Sequence, residues 1–331
     1  MASVMPTRDI IVVGASMGGV EALSTLVGQL PADLPATVLI VQHTSAQFPS
    51  YLGRILSQRG KLTVMVAEDR MPLVHGRIYV APPDRHLLLT AEGLRVIYGP
   101  RENRVRPAID PLFRTAAVHC RGRVIGVILT GLLGDGASGL LAVYRCGGAT
   151  IVQSPNDAAY AEMPTRALAA VPTAHEVTLA ELAPMLVRLA AQEAPPSPPV
   201  PEALRIEARF TERARANDDW GDIPTRATDF TCPECSGAVR EIEGEPIRRY
   251  RCRVGHAYSQ QDFVAAKESA TREALWLALQ TFQEQAQILE SLADEDSRRG
   301  WMRNAFGYEE RAQEMRAAAE RLRELVARLA D

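Results

Sequence analysis

Nowhere in these 331 residues does an apolar run approach the ~18 residues that a membrane helix needs. The opening stretch, MASVMPTRDI, has neither the basic start nor the apolar core of a secretory signal. These two absences lead us to expect a soluble, cytoplasmic chain with no membrane insertion. An excess of basic charge is also missing: 37 Lys and Arg stand against 40 Asp and Glu, for a net charge of −3. A duplex-binding protein usually carries a strongly basic face, so no nucleic-acid partner is expected. Cysteines number five, an odd count without an export signal, which argues against a disulfide framework. Three of the five cluster late in the chain, and that points to a metal.

What is present first is alternation. Ile10–Val13, Val38–Val41, Val124–Leu129 and Thr150–Val152 are short and rich in β-branched residues, as buried parallel strands are. Amphipathic stretches at Val20–Leu30, Phe48–Gln58 and Leu112–His119 lie between them. This is the pattern of an α/β fold, a doubly wound, mostly parallel sheet. Arg77–Val80, His86–Leu89 and Leu94–Ile97 are separated by short turn-rich segments and are expected as antiparallel hairpins appended to it. Length allows two or three domains. We expect an α/β domain over residues 1–190 and a linker over 191–229, stiffened by five prolines between Pro195 and Pro201 and partly disordered from 202. A small zinc-ribbon-like module over 230–258 and an α-helical hairpin over 259–331 complete the division.

The chemistry is concentrated where strands end. Gly14, Ser16 and Gly18 form G-x-S-x-G between the first strand and first helix. A sharp turn there lifts a serine above the sheet edge, and a helix N-terminus offers free N–H groups to a developing oxyanion. The glycines fit neither G-x-G-x-x-G nor a G-K-[ST] phosphate loop. His43 directly follows the second strand, and Asp135 follows the strand that ends at Leu129. Ligand crevices in open α/β sheets lie outside such carboxyl ends. A serine needs a base to take its proton, and the imidazole needs an acid to fix its tautomer. Ser16, His43 and Asp135 supply one group for each role. His86, in PPDRH, is retained as a site neighbour.

The segments GASMGGVEAL, VQHTSAQFPSYLGRIL, GRIYVAPPDRHLLL, RPAIDPLFRTAA, RVIGVILTGLLGDGASGL and QSPNDAAYAEMPTRAL occur in this order over about residues 9–180. Together they resemble the catalytic domain of the CheB family of chemotaxis receptor methylesterases. The resemblance implies hydrolysis of glutamyl methyl esters on chemoreceptors, and deamidation of certain glutamines, without a cofactor for catalysis. It places the family's serine, histidine and aspartate on Ser16, His43 and Asp135. It also places a methionine near the site at Met163, whose backbone N–H is a candidate oxyanion donor. Met17 stands beside the serine where the best-known members have threonine. Leu133 replaces a glycine, and Thr44-Ser45 replaces a Met-Pro. The family's usual N-terminal phosphoacceptor receiver has no counterpart from residue 9 back, so phosphorylation control within this sequence is not expected.

Cys232-x2-Cys235 and Cys252-x3-His256 offer three thiolates and one imidazole, the donor set of a structural Zn²⁺ site. Full protein ligation leaves no position for catalysis. Arg240, Arg248, Arg249, Arg251 and Arg253 make this stretch basic, and we expect them on a solvated surface. About 25 residues bury little core, so metal removal is expected to unfold this module alone. Ser259-x-x-Asp262 fits a capping box that starts a helix. Leu275, Leu279, Phe282, Ala286, Leu289 and Ala293 form one heptad-like stripe, and the run from Ala312 to Leu329 forms a second. The polar Asp294–Arg299 between them implies a hairpin, open to self-association or partner docking. Three readings stand: a methylesterase acting on methylated chemoreceptors, a regulatory scaffold with an esterase-like domain, and an esterase or amidase of another substrate.

Overall fold

A computed structural model describes residues 6–45, 50–213, 223–244 and 246–329. Seven strands form one wholly parallel sheet, in the order β3-β4-β2-β1-β7-β8-β9. They are β1 (Ile10–Ala15), β2 (Thr37–Gln42), β3 (Thr63–Val66), β4 (Arg77–Val80), β7 (Val124–Ile128), β8 (Ala149–Gln153) and β9 (His175–Val177). β1, β2, β7 and β8 are buried along their whole length, as their unbroken apolar runs require. The strand order reverses around β1, where β2 and β7 flank it. Helices α1 (Gly19–Gln29), α2 (Leu52–Ser57) and α6 (Leu179–Ala190) and helices α3 (Ile109–Cys120), α4 (Ala137–Arg145) and α5 (Glu162–Ala170) complete the domain. Its apolar side chains form two clusters. Leu23, Leu26 and Leu186 pack with Ile11 and Val13, and Leu112, Phe113 and Leu140 pack with Val12 and Leu39.

The expected antiparallel hairpin is present as β5 (His86–Thr90) and β6 (Gly93–Ile97). Arg77–Val80 is not part of it: β4 pairs parallel with both β2 and β3 inside the main sheet. Turn-rich flanks look alike around a hairpin strand and around a short parallel strand, so the sequence did not separate the two. Of the helix expected over Phe48–Gln58, residues 48 and 49 lie outside the described residues, and α2 begins at Leu52.

The proline stretch is pinned to the domain. Ser197 Oγ accepts the Gly122 N–H at 2.9 Å, and Arg121 donates to the Pro198 carbonyl at 2.8 Å. Within the segment expected to be partly disordered, α7 (Glu202–Arg213) forms, and residues 214–222 lie outside the described residues. Strands β10 (Thr225–Thr231), β11 (Ala238–Ile242), β12 (Arg249–Cys252) and β13 (Ala257–Ser259) then make an antiparallel sheet.

That sheet and α7 share the first compact unit, Met1–Phe263, with the α/β core. The join is a buried cluster of ions. Glu207 on α7 receives both arms of Arg249, at 2.7 and 2.8 Å, and Arg251 at 3.0 Å. Arg114 on α3 reaches Glu102 at 2.7 Å and Glu207 at 3.3 Å. Burial alone would raise both carboxyls, but the three guanidinium groups hold them well below the usual carboxylate range. Arg249 and Arg251 are therefore not the surface groups expected from a basic stretch. They are 3% and 2% exposed, because Glu102 and Glu207, both distant in sequence, pair with them.

The second unit, Val264–Asp331, is a helical pair made by most of α8 (Gln260–Arg298) and by α9 (Met302–Arg328). Its seam is built mainly on heptad-spaced residues, most of them alanine, with Leu289 also buried. Leu279, Ala286 and Ala293 are buried on one helix, and Ala305, Ala312, Ala319 and Val326 on the other. Glu290 and Arg316 pair across it, and Leu329, expected in the stripe, is exposed.

Candidate active site

Ser16 follows β1, and the positive φ of this turn falls on Gly18, at 74°, not on the serine. Gly18 is the N-cap of α1, so Ser16 lies just ahead of a helix N-terminus. Its backbone is fixed on three sides. The Ser16 N–H donates to the Thr130 carbonyl at 3.1 Å, and the Ser16 carbonyl accepts Gly19 N–H at 2.9 Å and Gln42 Nε2 at 2.7 Å. Gln42 Nε2 also reaches the His43 carbonyl at 3.1 Å, so one amide ties the ends of β1 and β2 together.

The three residues expected to cooperate form an unbroken chain of hydrogen bonds. Ser16 Oγ lies 3.0 Å from His43 Nδ1, and His43 Nε2 lies 2.7 Å from Asp135 Oδ2. The imidazole thus turns Nδ1 to the serine and Nε2 to the acid. The acid must hold the proton on Nε2 for Nδ1 to act as the acceptor.

Asp135 is 1% exposed and accepts hydrogen bonds from four donors. They are His43, the Ile109 N–H at 2.6 Å, the Asp110 N–H at 3.2 Å and Asn103 Nδ2 at 2.9 Å. The two amides are the first of α3, where the helix end favours negative charge. Burial alone would raise this carboxyl. The bond and charge of His43, then the Ile109 and Asn103 donors, outweigh it and hold Asp135 below the usual carboxylate range. A second buried carboxyl lies beside it. Asp110 Oδ1 accepts Gly136 and Gly139 N–H at 3.0 and 2.6 Å, tying α3 to the start of α4. Burial and the charge of Asp135 push Asp110 up to about 7.

The loop from Thr130 to Gly136 is held almost residue by residue. Its amides go to Gln153 from Thr130, to Tyr160 from Gly131, to Glu162 from Leu133 and to Asp262 from Gly134. Leu133 has a left-handed φ of 65°, at the position where the resemblance has a glycine. Gly131 is required by space: a Cβ there would lie 2.7 Å from Ser16 Cβ and 2.8 Å from Met163 Cε.

Two expected site neighbours have other partners. The Met163 N–H is taken by the Gly131 carbonyl at 3.0 Å, so it is not free for an oxyanion; its side chain instead lies against Gly131. His86 is 1% exposed, with Nε2 on the Pro100 carbonyl at 2.8 Å and Nδ1 accepting the Ala108 N–H at 3.2 Å. Burial lowers its pKa, and with both nitrogens occupied it is a neutral structural group. Met17 is 50% exposed, and among the described residues nothing accepts its backbone N–H. The other two cysteines are no rival nucleophiles: burial pushes the Cys120 and Cys146 thiols up to about 11.

Cys232, Cys235, Cys252 and His256 converge, with their ligand atoms all within 4.8 Å of one another. Cys235 and Cys252 sulfurs are 3.6 Å apart, and His256 Nδ1 lies 3.7 Å from Cys232 and 3.4 Å from Cys252. Four donors about 2.3 Å from a tetrahedral ion would stand ~3.8 Å apart, so the set fits such an ion. Tyr258 and Glu234 form an outer layer, with Tyr258 Oη 3.3 Å from Cys232 Sγ and donating to Glu234 at 2.8 Å.

Comparison with known proteins bears on the family. The family description CheB methylesterase matches residues 11–186, more than half of the chain. The chain belongs to the CheB methylesterase family. A putative protein-glutamate methylesterase/protein-glutamine glutaminase of Leptospira interrogans is 37% identical over 182 residues, covering 55% of this chain and 94% of that protein. The protein-glutamate methylesterase/protein-glutamine glutaminase of group 3 operon of Bradyrhizobium diazoefficiens is 40% identical over 171 residues, 50% of this chain and 47% of that protein. The match therefore spans about half the length of that second relative. The crystal structure of the Thermotoga maritima CheB methylesterase catalytic domain aligns with a TM-score of 0.53 and 31% identity, over 55% of this chain and 98% of that one. The family match ends before α7, the cysteine sheet and the helical pair.

Sequence reasoning missed Asn103, Asp110 and Gln42. Gln42 directly precedes His43, and Asp110 opens α3, but neither lies in a chemical motif. Asn103 sits in an aperiodic stretch between β6 and α3.

Proposed function

We propose that this chain is a protein-glutamate methylesterase, acting on methylated glutamates of a chemoreceptor or a similar signalling protein, and able to deamidate glutamine. The observation that carries this reading is the continuous path Ser16 Oγ–His43 Nδ1 and His43 Nε2–Asp135 at the carboxyl edge of the sheet. Ser16 Oγ attacks the ester carbonyl carbon while Nδ1 takes its proton. The Met17 N–H, next to the nucleophile and one residue ahead of the α1 N-cap, supports the oxyanion. The C–OCH₃ bond breaks, and methanol leaves with the proton from Nδ1. Water then attacks the acyl-serine, Nδ1 again takes a proton, and glutamate is released as Ser16 recovers its hydrogen. Asp135 keeps Nε2 protonated and stabilises the imidazolium in both steps. The same path on a glutamine releases ammonia.

The donor set of Cys232, Cys235, Cys252 and His256 supports a structural Zn²⁺. The ion would contribute folding free energy and take no part in ester chemistry, since four protein ligands close its shell. The exposed Trp276, Leu277 and Phe306 on the helical pair support docking to a partner or a second copy. No helix among the described residues is long and apolar enough to cross a membrane, and unpaired cysteines support a reducing, cytoplasmic setting.

The test is methanol release from tritium-methylated chemoreceptor membranes, comparing wild type with Ser16→Ala. Release should fall by roughly 10⁴-fold or more in the variant. Equal release by the variant would overturn the assignment of Ser16. Covalent labelling of Ser16 by a fluorophosphonate without methanol release would instead favour a different ester substrate.

A further inference from the structure

The cysteine sheet lies outside the family match, yet it reaches the most buried group of the triad through one side chain. Asn103 is 4% exposed and has a left-handed φ of 50°, which asparagine tolerates better than most residues. Its amide nitrogen has two hydrogens and two carboxylates to receive them: Asp135 Oδ1 at 2.9 Å and Asp110 Oδ2 at 2.9 Å. Its Oδ1 accepts the Ser259 N–H at 3.0 Å, and its own backbone N–H donates to the Ala257 carbonyl at 2.7 Å. These partners fix the amide orientation without ambiguity, because only nitrogen can face two carboxylates and only oxygen can face an N–H. A second strut arrives from the same segment. Asp262 accepts the Gly134 N–H at 3.3 Å, one residue before Asp135, while its other oxygen receives the Ser259 hydroxyl.

We propose that Asn103 is a positioning residue for Asp135, and that the Ala257–Asp262 segment of the cysteine sheet holds Asn103 and the catalytic loop in register. The inference rests on the reading of Asp135 as the acid that orients His43. Two buried carboxyl groups side by side repel one another when both are ionised, and a shared donor between them holds both in place. Remove it, and Asp135 shifts or takes a proton, so the Nε2–H of His43 loses its fixed acceptor. The segment directly follows His256, so the same turn that gathers the Cys and His donors also sets the height of Ser259 beneath Asn103. The C-terminal addition is in this way part of the esterase site without touching substrate.

The test uses the full chain with Asn103→Gly, which accepts the φ of 50° without strain, and with Asp262→Ala. Active serines are counted by end-point fluorophosphonate labelling, so losses from unfolding are removed. Per active serine, Asn103→Gly should lower kcat on p-nitrophenyl acetate about tenfold or more with KM unchanged, because Asn103 shapes the triad and touches no substrate. The low-field proton resonance of His43 Nε2–H, assigned by its loss in His43→Ala, should move upfield or vanish. Asp262→Ala should shift the same resonance by less. A folded Asn103→Gly with unchanged kcat per serine and unchanged resonance overturns the proposal. If Asn103→Gly does not fold, an unmoved resonance in Asp262→Ala overturns it. If wild type neither hydrolyses esters nor takes the label, the methylesterase reading fails, and the resonance alone still decides whether Asn103 positions His43 and Asp135.

Discussion

A missing side chain is as much a part of this site as the hydrogen-bonded Ser16, His43 and Asp135. Gly131 has no left-handed φ to explain it; space explains it, with Ser16 Cβ 2.7 Å and Met163 Cε 2.8 Å from any added Cβ. Gly131→Ala should therefore act on chemistry more than on folding. We expect the rate of Ser16 labelling to fall by about 10²-fold, from displacement of the nucleophile, with a stability loss of only about 1–3 kcal/mol in urea unfolding. Retained labelling would mean that the Met163 thioether yields and that the contact is not a constraint. At this scale the sequence was most informative about the groups placed near strand ends, which the structure brings into one hydrogen-bonded chain. Ser16 and His43 directly follow strands and Asp135 lies in the loop after one, and strand ends are legible from β-branched runs. The groups that hold them were not legible. Asn103 works through Ser259, 156 residues away, and Asp110 looks like any first-turn acid of a helix. His86 and Met163 show the converse: a polar group near the right motif had already been claimed by nearby backbone groups.

Among the elements, α7 shows best what composition concealed. A polar segment after a proline run was expected to be partly disordered, yet Glu207 on it is 1% exposed. The helix is held by three arginines from elsewhere in the unit that pair with its carboxylate, and by Leu204 and Ala208, which are buried. Replacing Glu207 by Ala would leave Arg114, Arg249 and Arg251 around Glu102 alone. Removing one partner from a buried ion cluster costs about 3–5 kcal/mol, and we expect a loss of that size in urea unfolding monitored by circular dichroism. A loss below about 1 kcal/mol would show that the cluster is hydrated and its charges screened. The capping motif at Ser259-x-x-Asp262 was read correctly at one end only. The Asp262 N–H donates to Ser259 Oγ at 3.1 Å, as the motif requires. The return bond is replaced, since the Ser259 N–H goes to Asn103 and Asp262 turns to Gly134. A local motif specifies where a helix begins, but not which distant groups complete it.

For the molecule as a whole, the expectation of an isolated metal module changes. Its sheet shares the compact unit of the α/β core, and Arg249 and Arg251 are buried against Glu207 and Glu102. Chelation should therefore lower the unfolding transition of the entire first unit, with near-ultraviolet and far-ultraviolet circular dichroism moving together. A separate early transition confined to the module would show that the ion cluster does not couple them. The broad architecture was legible because periodicity of two kinds, β-branched runs and heptads, survives in the sequence. The coupling was not, because ion pairs over a hundred residues apart leave no period.

The buried cluster also bears on where one inherited piece ends and a foldable piece begins. The family match ends at residue 186, but partners of several buried groups inside that boundary lie beyond it. Cut there, the chain would keep Glu102 and Arg114 yet lose Glu207, Arg249 and Arg251, and His119 would lose Glu212. Asn103 would be left with no amide to hold its oxygen. In this protein the matched region is not closed at its boundary: residues beyond it give Arg114 its second carboxylate and Asn103 its amide donor, so the two parts are expected to fold and to fail together.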